Sequence, residues 1–131
     1  MPAFPHTLTE IAPWIGLSLV VPIFLANALG VLDQAVAARE LAATGLPVPL
    51  ANLAIGAGRA LQLVAAPCLF FATVRPYAAA ALAVFLLGAT MTAHAFWKAA
   101  PMDRDRQLAN FLKNVAIVGG LLLAIGWKGT A

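Results

Sequence analysis

The fold is decided by reading two stretches together. They are Gly88-Ala-Thr-Met-Thr-Ala-His94-Ala-Phe96-Trp97-Lys98 and Asn110-Phe111-Leu-Lys113-Asn114-Val-Ala-Ile-Val-Gly119-Gly120. Each is an apolar helical run, and a hydrophilic turn from Lys98 to Gln107 joins them. Polar and aromatic side chains gather where the runs approach the turn, and the rest of the chain is close to continuous hydrocarbon. Of 131 residues, 63% are hydrophobic and 10% charged, whereas soluble domains carry about 25% charged residues. Mean hydropathy is +0.92. A soluble domain this apolar could not cover its surface with polar groups. Lipid is the solvent the composition demands, and the length allows about four spans of roughly 20 residues in a single domain.

Working outward, spans are predicted at about residues 13–33, 50–72, 77–97 and 108–127. Pro22 interrupts the first apolar run and no Lys or Arg precedes it, so it reads as a retained span and not as a cleaved signal. Residues 33–44 keep good helix formers and read as an interfacial helix, stopped by Gly45 and Pro47. Thr73-Val-Arg75-Pro76 is a tight antiparallel connection. Pro101 breaks the third helix, and Asp103 is the expected N-cap of the fourth, which starts near Arg104. In lipid every backbone group must be satisfied internally, so these runs are helices. The fold class is all-α, an antiparallel bundle of transmembrane helices. Ala54 with Gly58, Gly88 with Thr92, and Gly119-Gly120 permit close helix contacts.

The net charge of +3 is a topology signal, because the bases are few and sit at segment ends. Nothing in it resembles a nucleic-acid footprint. Arg39, Lys98, Arg104 and Arg106 occupy the loops after spans one and three, with Lys113 near that interface; Arg75 and Lys128 lie at the opposite end. The bias puts the loops in the cytoplasm and both termini outside. Cys68 is the only cysteine, which excludes an internal disulfide or a C-x-x-C pair.

Ionisable groups at membrane depth are costly and mark function by default. Arg59 stands about nine residues into span two, or roughly 13 Å at 1.5 Å per residue, with Gln62 on the same face. Thr90, His94 and Trp97 form a stripe on span three, and Asn110 and Asn114 form another on span four beside Lys113. Asp33 closes span one. Antiparallel threading gathers Asp33, Arg59, Gln62, Thr90, His94, Trp97, Lys113 and Asn114 into the loop-bearing half as a polar pocket. Each has a plainer reading as well. Arg59 and Lys113 can snorkel, His94 can be a hydrogen-bonded packing residue, and Trp14, Phe96, Trp97 and Trp127 can be interfacial anchors. His6 falls at the other end from His94 and Cys68 is isolated, so a metal site or bis-histidine haem is not expected.

Ala89-Thr90-x-x-Ala93-His94-x-Phe96-Trp97, followed by Arg106-Gln107-x-x-Asn110-Phe111-Leu112-Lys113-Asn114-x-Ala116-x-x-Gly119-Gly120-Leu121-Leu122, resembles the DoxX family of small four-helix membrane proteins. The resemblance spans about residues 13–127 and is weaker in the N-terminal half. There Gly30-Val-Leu-Asp33 stands where the family often has Gly-x-x-Lys. Gln62 with Ala65-Ala66 stands where it often has Glu and a Gly pair. The exchange suggests a charge-swapped pair, Asp33 with Arg59. The resemblance implies a bacterial-type inner membrane location and, through the thiosulfate:quinone oxidoreductase subunit that gives the family its name, a link to quinone or thiol chemistry.

Three functions are consistent with the sequence. One is a non-catalytic accessory subunit of a membrane complex. Another is an oxidoreductase subunit with a quinone-sized pocket and His94 as its candidate proton carrier. The third is a small transporter, although Asp33 lies at the end of span one, not in mid-membrane. No redox cofactor site is intrinsic to the chain, and a quinone is the ligand the resemblance implies. The expected partners are the lipid bilayer and either further copies of the chain or a membrane redox protein.

Overall fold

The computed structural model describes residues 7–31, 39 and 41–129. Helix α1 runs Leu8–Ala28, α2 Val48–Cys68, α3 Arg75–Ala93 and α4 Pro101–Gly126. A 3-10 turn, Phe96–Lys98, precedes α4. No strand occurs among the described residues. All four helices are long and apolar enough to cross a membrane, which fits an all-α, multi-pass membrane protein. Residues 41–43 are helical; most of the expected interfacial helix, Asp33 included, lies outside the described residues.

Packing follows chain order around a ring: α1 on α2, α2 on α3, α3 on α4, and α4 back on α1. The α1–α4 seam is the sparsest and α3–α4 the densest. Antiparallel pairing is fixed by contacts at two levels. Arg75, which opens α3, touches Trp127 just beyond α4, while Thr90 near the end of α3 meets Asn114 earlier in α4. The core is small and apolar, built on Leu17, Val21, Phe24, Ala65, Ala66, Leu69, Ala79, Leu82, Leu86, Val118 and Leu121. Large apolar side chains face outward instead, Leu123 at 78% exposure and Leu19 at 73%. Gln62, Arg75 and Thr90 are buried. Polar groups inside and hydrocarbon outside is the arrangement lipid selects.

Of the boundaries that differ from the sequence expectation, three have an evident local reason. Helix α1 ends at Ala28, short of Asp33, because Gly30 takes φ +76°. There Val31 N–H donates to Ala26 O at 3.0 Å and Gly30 N–H to Asn27 O at 3.2 Å, the paired bonds of a Schellman cap. Helix α3 stops at Ala93, so Phe96 and Trp97 belong to the 3-10 turn and not to the span. Helix α4 starts at Pro101, with Ala100 extended as its N-cap and Asp103 already in the first turn. A residue before proline is pushed to extended backbone, and proline itself is well suited to the first helical position. At 26 residues α4 is about 39 Å long, more than a hydrocarbon core of about 30 Å. Its first two turns, holding the exposed Asp103–Arg106 pair at 2.9 Å, can therefore lie beyond the hydrocarbon.

The small residues do different jobs. A Cβ on Gly58 would stand 2.5 Å from Phe85 Cε2, so Gly58 permits the close approach of α2 and α3. At Gly88 and Gly119 an added Cβ meets nothing within 4 Å, so neither glycine is required by helix packing.

Gly30 is the stricter position. A Cβ there is strained by its positive φ and would lie 2.9 Å from Arg59 Nη2. Gly30→Ala is expected to cost about 1–2 kcal/mol in reversible unfolding from mixed micelles. Gly30→Asn, which tolerates left-handed backbone, is expected to cost less.

Candidate functional site

Two polar centres occupy opposite ends of the bundle. The first is a cavity of about 620 Å³ walled by all four helices. Its polar lining is Asn27 from α1, Arg59 and Gln62 from α2, Thr92 and His94 from the end of α3, and Lys113 and Asn114 from α4. The remaining wall is apolar, including Ile23, Phe24, Ile55, Phe85, Leu86 and Ile117. Such a volume, with a few convergent polar groups, is in the usual range for small-molecule sites, about 300–1,000 Å³.

Most polar groups around the cavity are held by neighbours. Asn27 Nδ2 donates to Gln62 Oε1 at 2.8 Å, and Gln62 Nε2 donates to Gly58 O at 3.0 Å. This ties α1 to α2 through an amide that is only 2% exposed. Thr90 Oγ1 accepts from Asn114 Nδ2 at 3.0 Å, tying α3 to α4. Both bonds fix helix rotation, since a polar group turned toward lipid would lose its partner. His94 Nδ1 pairs with Gln107 Oε1 at 2.8 Å. An amide oxygen only accepts, so in this pairing Nδ1 is the donor.

Arg59 donates through Nε to Ala28 O at 2.7 Å, a carbonyl in the last turn of α1. A guanidinium there satisfies a carbonyl that has no intrahelical partner and lies at the negative end of the helix dipole. Its Nη atoms have no protein hydrogen bond among the described residues. Lys113 Nζ reaches Asn110 Oδ1 at 3.3 Å and is otherwise exposed. Among the described residues the cavity wall therefore holds two cations and no carboxylate.

Of the residues read from the sequence as a pocket, Arg59, Gln62, His94, Lys113 and Asn114 line this cavity. Thr90 stands behind Asn114. Trp97 is not in the wall; it packs edge-on against Phe96 and Phe111, with centroids 5.2 and 6.0 Å away. Asp33, and with it the suggested Asp33–Arg59 pair, lies outside the described residues. No group of three His, Cys, Asp or Glu side chains converges among the described residues.

The second centre has no counterpart in the sequence reading. Arg75, read from the sequence as a base in a tight antiparallel connection, is fully buried. Its Nε donates to Leu69 O at 2.7 Å, and its Nη1 is 3.4 Å from Trp127 O. The guanidinium carbon lies 4.0 Å from the Trp127 ring centroid and 5.5 Å from that of Trp14. The two indoles meet edge to face at 4.8 Å. Nη2 has no hydrogen bond among the described residues, so the aromatic faces supply what a carboxylate would supply elsewhere. The clue in the sequence is a matter of level: counting along antiparallel spans puts Trp14, Arg75 and Trp127 at the same end.

Removing either polar tie should register quantitatively. The Asn27–Gln62 contact is expected to show a coupling of about 0.6–1.7 kcal/mol in a double-mutant cycle with Asn27→Leu and Gln62→Leu, read from unfolding in micelles. Trp127→Ala, which uncovers Arg75, is expected to cost about 3–5 kcal/mol in the same assay. Comparison of the chain with protein-family models, with characterised proteins and with solved structures finds no match.

Proposed function

We propose that the chain is a DoxX-like inner-membrane protein, a non-catalytic accessory subunit that holds an amphipathic small molecule for a membrane complex. The observation that carries this reading is the cavity of about 620 Å³, apolar over most of its wall and polar at the level of Arg59, His94 and Lys113. The polar side chains around it mostly bind one another, which suits a holding site better than a reaction centre. The orientation proposed has the loops after α1 and α3 in the cytoplasm. It is supported by the exposed bases Arg39, Lys98, Arg104 and Arg106 at that end. At the other end Arg75 is wrapped in protein, leaving Lys128 exposed.

A quinone-type head is the second reading. It is favoured by His94, which is held through Nδ1 by Gln107 and lines the same cavity as the cationic donors Arg59 and Lys113. In that case the protein is the quinone-binding part of an oxidoreductase, and electrons come from its partner.

Purification from the native membrane, followed by extraction and mass spectrometry, tests both readings. A stoichiometric amphipathic molecule is expected with the wild-type protein. It should fall at least several-fold in Lys113→Gln, a change at an exposed side chain. A bound quinone that is lost in His94→Ala would select the second reading. Absence of any retained small molecule from a folded protein would defeat both.

A further inference from the structure

The cavity is not closed around its polar end. Its wall includes Ala54 of α2 and Val84, Gly88 and Thr92 of α3, all of them exposed on the outside of the bundle. Val84 is 71% exposed. These residues lie on the adjacent helices α2 and α3, so the same space that Arg59 and Lys113 line reaches the lipid-facing side between them. Gly88 marks this opening, because a side chain there would enter empty space. Below it, Phe85 lies over Gly58 and closes the α2–α3 contact.

The charge in the wall is one-sided. Arg59 offers its Nη atoms and Lys113 has donor capacity beyond its bond to Asn110, while no Asp or Glu lines the cavity among the described residues. Cations with no counter-charge among the described residues, at the polar end of a hydrocarbon-walled space, favour an anionic head. A space of about 620 Å³ lies in the usual small-molecule range and has room for one acyl chain with its head.

Resting on the holding function above, we infer that the ligand is a single-chain, carboxylate-headed amphiphile of the fatty-acid type, which enters sideways from the bilayer between α2 and α3. Its head lies against Arg59 and Lys113, and its chain runs along Ile55, Phe85 and Leu86 toward the opening.

Partition of radiolabelled oleate onto the protein in zwitterionic phosphatidylcholine nanodiscs tests this, with empty nanodiscs as the baseline. Oleate is expected to bind about tenfold or more tightly than oleyl alcohol, the difference a charge-assisted head contact provides. Lys113→Gln and Arg59→Gln should each shrink that ratio several-fold. Gly88→Leu, whose Cβ has no neighbour within 4 Å, should slow or abolish uptake in protein whose unfolding, measured alongside, shows it folded. Equal binding of oleate and oleyl alcohol, or tighter binding of a short-chain ubiquinone or of phosphatidylglycerol, would overturn the anionic single-chain assignment and leave the holding function standing. Binding of none of these probes by folded protein would remove the holding function itself. Undiminished uptake by Gly88→Leu would overturn the lateral route.

Discussion

A guanidinium that cannot reach water has to be covered by protein, and the covering of Arg75 draws on every helix. Its Nε is taken by Leu69 O beyond the end of α2, its faces by Trp14 of α1 and Trp127 after α4, and its backbone opens α3. No carboxylate among the described residues is used. In a low-dielectric setting an aromatic face offers an attraction of about 2 kcal/mol or more without adding a second buried charge that would itself need solvation. One side chain thereby sets where the ends of α1 and α4 must meet, although the helices themselves touch only sparsely.

The other end obeys the same constraint with neutral groups. Asn27 with Gln62 and Asn114 with Thr90 each satisfy a buried polar side chain, the Gln62 amide and the Thr90 hydroxyl, across a helix pair. These ties fix the rotation of α1 against α2 and of α3 against α4. What they do not fill is the space between the two pairs, and that space is the cavity. Its polarity is thus a by-product of where helix registration is enforced, and Arg59 and Lys113 are the part of it that registration does not use up.

Much of this was legible before any coordinates, because depth in an antiparallel bundle can be counted along the chain. Counting places Arg59, Gln62, His94, Lys113 and Asn114 in one half, and the apolar runs mark the helices. Counting does not show which way a residue turns at a helix end. Trp97 leaves the stripe because the helix stops at Ala93, before an Ala95 that carries no Gly or Pro signal. The start of α4 did carry a signal, since Ala100-Pro101 is an extended residue followed by a favoured first helical residue, but the acidic Asp103 outweighs it in a capping argument. Arg75 in a short Arg-Pro connection gives no local sign of burial. Only the convergence of Trp14 and Trp127, some 113 residues apart in the chain, reveals it.

The position of Trp127 has a consequence for biosynthesis. Residues leave the ribosome in order, so α1, α2 and α3 are made while the last cover for Arg75 does not yet exist. Until α4 has threaded through, Arg75 has Leu69 O and Trp14 but lacks the nearer indole, so a half-covered cation faces the place where the ring will close. A chain truncated before Trp127 keeps that partly covered charge permanently, which distinguishes it physically from the finished protein.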